Sequence, residues 1–279
     1  ELVAGVGRAA WMAGLGFAGR GVYLEGLVEK PRHVEIQLVG DRHGNVAHVF
    51  ERDCSVQRRH QKIIEEAAAP GIARERLDPL LAAAAATMGR LGYDNLGTVE
   101  MLLAPDGEFR FLEMNTRLQV EHGVTEEVTG IDLVAAQLRS SAGQRLAEFL
   151  PAAPALRGHA VQARVYAEDP RRFLPSPGLL REFSPPRAPG IRVETGYAAG
   201  REVTPHYDPL LAKVIARAPT RTEAIDRLLE ALAAFRIEGP KHNIPALCAI
   251  LASGEFREGR VHTGLATEIV TRSPVEAKP

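Results

Sequence analysis

Glu113-Met-Asn-Thr-Arg-Leu-Gln-Val-Glu121 is the segment whose residue types point most directly to chemistry. In an extended chain alternate side chains share a face. Glu113, Asn115, Arg117, Gln119 and Glu121 then line one side, and Met114, Thr116, Leu118 and Val120 the other. A half-solvated strand shows the same alternation, so the row needs a second feature. Just upstream, Thr98–Leu103 and Phe109–Asn115 read as strands joined through Pro105-Asp106-Gly107, a hairpin signal. A two- or four-residue loop centred on Asp106-Gly107 sets Glu100 opposite Glu113, with Cβ atoms ~5 Å apart. A three-residue loop with a bulge would shift that register by one. Facing carboxylates repel, and a hard divalent cation, Mg²⁺ or Mn²⁺, is the natural compensation, with Asn115 adding a third oxygen. Arg117 offers a fixed fork of donors for a planar oxyanion. Glu121 is a carboxylate within reach of whatever that fork holds, as a general base must be. Metal, anion clamp and base in one row suggest phosphate or carboxylate chemistry, without naming the substrate.

A second run, Glu51-Arg-Asp-Cys-Ser-Val-Gln-Arg-Arg-His-Gln-Lys62, gathers Arg58, Arg59, His60 and Lys62. Such runs are commonly solvated loops or ion-pair networks, and Glu51, Asp53, Glu65 and Glu66 lie beside this one. It is too short and too poor in aromatics for a nucleic-acid patch. A small anion held by Lys62 and His60 is the functional reading. Cys54, inside the run, reads as a small buried side chain rather than a nucleophile. His33 reads as a structural histidine in a strand.

These segments must be positioned by a fold, and the composition bounds it. The 279 residues are 45% hydrophobic and 25% charged, globular values that correspond to roughly two domains. Lys+Arg 34 against Asp+Glu 35 leaves a net charge of −1, so no global field attracts nucleic acid or an anionic membrane. Two cysteines cannot make a disulfide framework or a cysteine zinc site, and a reducing, cytoplasmic setting is expected.

Strands are expected over Val22–Val28, His33–Val39 and Val46–Phe50, with a turn at Gly44-Asn45. Arg74–Leu91 has helical periodicity and Gly92 stops it. Asp132 caps a helix from Leu133 to Ser141. Leu150–Leu156 carries two prolines and no periodicity, and a domain boundary is placed there. Beyond it, His159–Ala167, Leu179–Phe183, Arg192–Thr195 and Leu211–Ala216 read as strands. Thr220-Arg-Thr-Glu223 is a capping box, and Asn243 caps a helix over Ile244–Ala252. The fold class is α+β, an antiparallel sheet with helices followed by a smaller strand-rich module.

Taken together, the two chemical segments resemble the biotin carboxylase family of ATP-grasp ligases. Pro31-Arg-His-Val-Glu-Ile-Gln37, Ala163-Arg-Val-Tyr-Ala-Glu-Asp169, Phe173-Leu-Pro-Ser-Pro-Gly178 and Tyr207-Asp-Pro-Leu-Leu-Ala-Lys213 extend the likeness, in order, over nearly the whole chain. The resemblance implies ATP-dependent carboxylation of biotin by bicarbonate through carboxyphosphate. It implies metal on Glu100, Glu113 and Asn115. Main-chain contacts to adenine would come from the hinge Glu25, Gly26, Leu27 and Val28, and nucleotide contacts from His33, Gln57 and His60. Bicarbonate would be held by Lys62, Arg117, Gln119, Val120 through its main chain, and Glu121, with Glu121 taking its proton. Arg164, which the strand pattern alone leaves as a surface residue, would stabilise the biotin enolate.

By the same likeness, residues 1–21 are the end of a nucleotide lid and 22–150 the carboxy-terminal part of an ATP-grasp domain. Residues 151–272 are a biotin carboxylase C-terminal domain, and 273–279 a tail. The lid's glycine-rich loop and the family's upstream lysines are not identifiable, so this chain alone is expected to bind ATP poorly. Gly26 stands where many members have lysine, and Gly123 replaces the usual proline after His122. No Ala-Met-Lys-Met biotinylation motif occurs, so biotin would arrive on a separate carrier domain. A carboxyltransferase component and homo-oligomerisation are the other implied partners. The competing reading is a truncated, non-catalytic module that folds or associates without turnover.

Overall fold

Along residues 32–40 apolar Val34, Ile36 and Leu38 alternate with polar His33, Glu35 and Gln37, and all six are buried. A strand with two such faces must be covered on both, one by core and one by compensated charge. The computed structural model describes residues 2–16 and 21–272. The expected tail and part of the expected lid segment lie outside the described residues.

The chain runs α1 (Leu2–Gly16), β1 (Arg32–Gly40), β2 (Val46–Arg58), β3 (Gln61–Ala67), α2 (Arg74–Arg90), β4 (Asn95–Leu103) and β5 (Phe109–Asn115). It continues α3 (His122–Thr129), α4 (Leu133–Ser141), α5 (Leu146–Phe149), β6 (His159–Tyr166), β7 (Gly178–Leu179), β8 (Glu182–Ser184), β9 (Ile191–Glu194) and β10 (Glu202–Val203). Last come β11 (Leu210–Ala218), α6 (Arg221–Ala234), β12 (Arg236–Glu238), α7 (Ile244–Ala252), α8 (Gly254–Arg257) and α9 (Leu265–Arg272). The architecture is α+β. Its centre is an eight-stranded antiparallel sheet in the order β5-β4-β1-β2-β3-β6-β11-β9. Because β6 pairs with β3 through Ile64–Ala163 to Ala67–Ala160, the segment after residue 156 extends the same sheet.

Ile36 and Leu38, with Val99 and Met101 of β4, pack on Leu81 of α2. Val39, Val49 and Leu96 pack on Ile131 and Leu133 at the start of α4. The largest core joins Ile63, Ile64, Val161, Val165 and Val214 to Leu228 of α6, Leu247 of α7 and Phe256 of α8. Helix stops and starts follow the expected chemistry. Gly92, just past α2, takes φ +69°. Asp132 accepts from Ala135 N, and Thr220 and Glu223 form the reciprocal capping box.

Four expectations need correcting. Val22–Val28 is not a strand: residues 21–28 have no regular structure, and Glu25, Gly26 and Leu27 are exposed while Val28 is half-buried. β-propensity makes a strand only where a neighbour completes the ladder, and none of the described strands pairs there. The polar row does not stay extended, since β5 ends at Asn115 and Arg117–Glu121 turns into α3. The expected strand Leu179–Phe183 is broken into β7 and β8, in two separate small sheets. Finally, Asn243 makes no side-chain cap on α7.

Candidate active site

Strand register assembles the site. Glu100 of β4 lies opposite Glu113 of β5 and, on its other side, opposite Glu35 of β1; Glu35 in turn faces Arg52 of β2. Three carboxylates therefore sit side by side across the sheet, a row that repulsion would break open without cations.

The Glu100–Glu113 pairing arises by a route the turn alone does not give. Near the turn Leu103 pairs with Phe109, and Pro105-Asp106-Gly107 is the three-residue loop that shifts the register. A bulge between Glu100 and Met101 then inserts Leu112 unpaired and restores Glu100 to Glu113. Both carboxylates accept from one donor, Asn115 Nδ2, at 2.9 Å and 3.1 Å. They converge as predicted.

The positive groups come from four strands, β1, β2, β3 and β6. Arg52, fully buried, donates to Glu35 Oε2 at 3.3 and 3.2 Å, to Gln37 Oε1 at 2.7 Å and to Thr125 Oγ1 at 3.1 Å. It also donates to Thr98 Oγ1 at 3.3 Å and Gln119 Oε1 at 2.8 Å. Gln119, oriented by that bond, donates its Nε2 to Glu100 Oε1 at 2.7 Å. Lys62 donates to Glu35 Oε1, to Glu100 Oε1 at 2.8 Å and to Glu121 Oε1 at 2.9 Å. Arg164 donates to Glu121 Oε2 at 2.9 Å and to Glu65 Oε1 at 2.5 Å, and Gln162 braces Glu65 at 2.9 Å. His33 Nε2 lies 2.8 Å from Glu100 Oε2 and 3.4 Å from Glu35 Oε1. Gln57 Nε2 lies 3.0 Å from its Nδ1.

Burial disfavours the charged form of every member, and partners decide which win. Burial lowers the His33 pKa, but Glu100 and Glu35 outweigh it and raise it to about 9. Burial pushes Glu35 up, yet Lys62, His33 and Arg52 hold it well below the usual carboxylate range. Glu100 is also lowered, with His33 the main opponent of its burial. Lys62 is raised against burial by Glu35, Glu121 and Glu100, and Arg164 by Glu65 and Glu121. Glu65 goes the other way. Burial and the neighbouring Glu121 raise its pKa despite Arg164. Cys54, fully buried beside these groups, is pushed well above the thiol range, which agrees with a packing role.

Not every expected residue joins. Arg117 is exposed and contacts Asn115 Oδ1 at 3.1 Å and Leu118 O at 3.3 Å; it makes no direct contact with Lys62 or Glu121. His60 is exposed at the β2–β3 turn with φ +63°. The basic run as a whole is not a solvated loop, because Arg52, Gln57 and Arg58 are buried in β2. The Val120 carbonyl accepts from Lys213 Nζ at 2.8 Å. Sequence reasoning missed Glu35, Arg52, Glu65 and Lys213. The polar–apolar alternation of β1 carried the signal for Glu35.

A hard divalent ion fits Glu100 and Glu113. The point between their oxygens already attracts a donor from Asn115, and an amide turned about its bond offers Oδ1 instead. What the arrangement can do chemically is hold a small anion beside a carboxylate base, within a balanced set of buried charges.

The family described as "Carbamoyl-phosphate synthase L chain, ATP binding domain" matches residues 1–149, and "Biotin carboxylase C-terminal domain" matches residues 162–268. "Biotin carboxylase 2" of Bacillus subtilis is 49% identical over 247 residues, which are 88% of this chain and 55% of that protein. The alpha subunit of mitochondrial methylcrotonoyl-CoA carboxylase of Rattus norvegicus is 48% identical over 86% of this chain and 34% of its own length. Among solved structures, the biotin carboxylase domain dimer of Hydrogenobacter thermophilus 2-oxoglutarate carboxylase, in complex with MgADP, ADP and bicarbonate, superposes with a TM-score of 0.92. It is 39% identical and matches 96% of this chain and 59% of that one. Biotin carboxylase from Campylobacter jejuni, in a β,γ-ATP complex, gives a TM-score of 0.90 at 34% identity, over 97% of this chain and 59% of its own. The chain thus spans little more than half of the Bacillus relative's length.

Proposed function

This chain belongs to the biotin carboxylase family of ATP-grasp ligases, and from that premise we propose that it carries the bicarbonate and biotin half of an ATP-dependent biotin carboxylation site. The observation that carries the reading is the grip on Glu121, with Lys62 on one oxygen and Arg164 on the other, each at 2.9 Å. A bicarbonate entering beside Glu121 meets cations already desolvated and aimed, so little reorganisation is left for the reaction itself.

In this reading Lys62 and Arg117 hold bicarbonate with Gln119 and the Val120 main chain, and Glu121 removes its proton. The bicarbonate oxygen attacks the γ-phosphorus of ATP and ADP leaves; the resulting carboxyphosphate splits into CO₂ and phosphate, the phosphate takes the ureido N–H proton of biotin, and the ureido nitrogen adds to CO₂. Arg164, released from Glu121, stabilises the biotin enolate. Glu100, Glu113 and Asn115 would hold Mg²⁺ or Mn²⁺, which supplies neutralisation of phosphate charge. His33, Gln57, His60 and the Glu25–Val28 segment face the nucleotide. A carrier domain brings biotin, a carboxyltransferase component takes the carboxyl group, and the enzyme assembles as a homo-oligomer in the cytoplasm. Among the described residues no helix is long and apolar enough to cross a membrane.

The test is Glu121→Gln in the full-length protein, read by bicarbonate-dependent ATP cleavage and by carboxylation of free biotin. Both should fall on the order of 10²–10³-fold, the cost of one preorganised electrostatic group. Retention of either activity within ~10-fold would remove Glu121 from the proton-transfer role.

A further inference from the structure

Asn243 sits where a helix cap is expected, yet its side chain is spent elsewhere. It precedes α7, makes no cap hydrogen bond and is 0% exposed. A capping asparagine stabilises a helix by about 1 kcal/mol, so something else holds it. Its Oδ1 accepts from Tyr166 N at 2.8 Å and its Nδ2 donates to Arg164 O at 3.0 Å. Its own backbone N donates to Tyr166 O at 3.2 Å.

These bonds follow strand logic. Ala167 N donates to Pro209 O, just before β11, so the odd-numbered backbone groups at this end of β6 turn toward β11. Those of Arg164 and Tyr166 then turn the other way, toward β3. But the β3–β6 ladder ends at Ile64–Ala163, one residue short of Arg164. Asn243 takes over where the ladder stops, its side-chain amide standing in for a peptide. On the opposite side β11 is irregular at this same level, between Leu210 and Ala212. Without the Asn243 side chain, Tyr166 N would lose its acceptor and Arg164 O one of its donors, opposite the irregular stretch of β11.

We propose that Asn243 is a positioning residue for Arg164: by completing the β6 ladder it fixes the backbone from which the guanidinium reaches Glu65 and Glu121. The proposal rests on the reading of Arg164 as the group that acts on biotin. A guanidinium held by bonds of 2.5 and 2.9 Å has little slack, and a misplacement of ~1 Å can cost about 10²-fold.

The experiment compares Asn243→Asp, Asn243→Ser, Arg164→Ala and the double variants in the full-length protein. Asn243→Asp keeps the acceptor for Tyr166 N but sets an oxygen against the Arg164 carbonyl; Asn243→Ser is the smaller alternative. For either, the ratio of biotin carboxylation to bicarbonate-dependent ATP cleavage should fall on the order of 10- to 100-fold. In the Arg164→Ala background the same change should add less than ~2-fold, because nothing is left to position. If Arg164→Ala alone leaves that ratio unchanged, the reading of Arg164 fails and takes the proposal with it. If Arg164→Ala lowers the ratio but the Asn243 variants lower both reactions equally, multiply the Arg164→Ala defect, or fail to fold, Asn243 serves only the fold.

Discussion

Glu66→Gln should weaken the fold by about 3 kcal/mol while leaving the Glu65–Arg164 contact of the neighbouring residue in place. Glu66 lies on β3 and is buried. Its carboxylate accepts from His159 of β6 at 2.8 Å and from Arg221 of α6 at 2.6 and 3.0 Å. Breaking a buried pair by removing one charge typically costs ~3–5 kcal/mol. The low end applies because glutamine keeps one acceptor oxygen, and because Arg221 retains the carbonyls of Phe256 and Arg257, each at 2.8 Å. The pH dependence has a definite sign. Burial alone would raise the Glu66 pKa, but His159 and Arg221 lower it below 4.5. A depressed carboxylate stabilises fully above its unfolded pKa and loses that contribution as pH falls through its folded one. The gap between parent and variant, measured by urea unfolding, should be present at pH 7 and shrink below about pH 4.5. A gap under ~1 kcal/mol at pH 7, or one unchanged at pH 3.5, would refute the reasoning.

Glu113→Gln should raise the Mg²⁺ concentration for half-maximal ATP cleavage ~10-fold or more without shifting the unfolding midpoint, since Glu113 is exposed; an unchanged metal titration would remove it from the metal site. Gly123→Ala should cost ~1–2 kcal/mol because a Cβ there would come within 2.5 Å of Ile215 Cδ1, and Ile215→Val should recover part of it, as urea unfolding would read. Cys54 should resist thiol reagents in the folded protein and react on unfolding, being fully buried with a raised pKa; rapid native labelling at Cys54, mapped by mass spectrometry, would contradict this.

What the sequence disclosed was local. The capping box at Thr220, the stop at Gly92 and the cap at Asp132 depend on residues a few positions apart, and each forms as read. Glu100 and Glu113 were legible because one hairpin joins them, though the pairing survives only because a bulge offsets the loop. Glu35, Arg52 and Glu65 were silent for the opposite reason. Their partners lie on elements that only the folded sheet brings together, as with Arg52 and Thr125 of α3 or Arg164 and Glu65 of β3. Asn243 was misread because a helix start and a ladder end coincide there, and satisfying buried strand groups outweighs a cap.

The resemblance and the geometry meet at Glu121, and they contribute different things. Alternation placed Glu121 on a strand face with Arg117; the chain instead turns after Asn115, and Glu121 becomes the residue before α3. That turn is what lets one carboxylate face both Lys62 of β3 and Arg164 of β6. A strand position would have presented Glu121 to one neighbour across the ladder. Lys213 fixes the same turn from β11 through the Val120 carbonyl, while Arg192, between Glu194 of β9 and Glu126, ties the body of α3 to the sheet edge. Glu121 is therefore held from strands on both sides of residue 156. The proton transfer proposed for it requires the two parts of the chain to share one sheet.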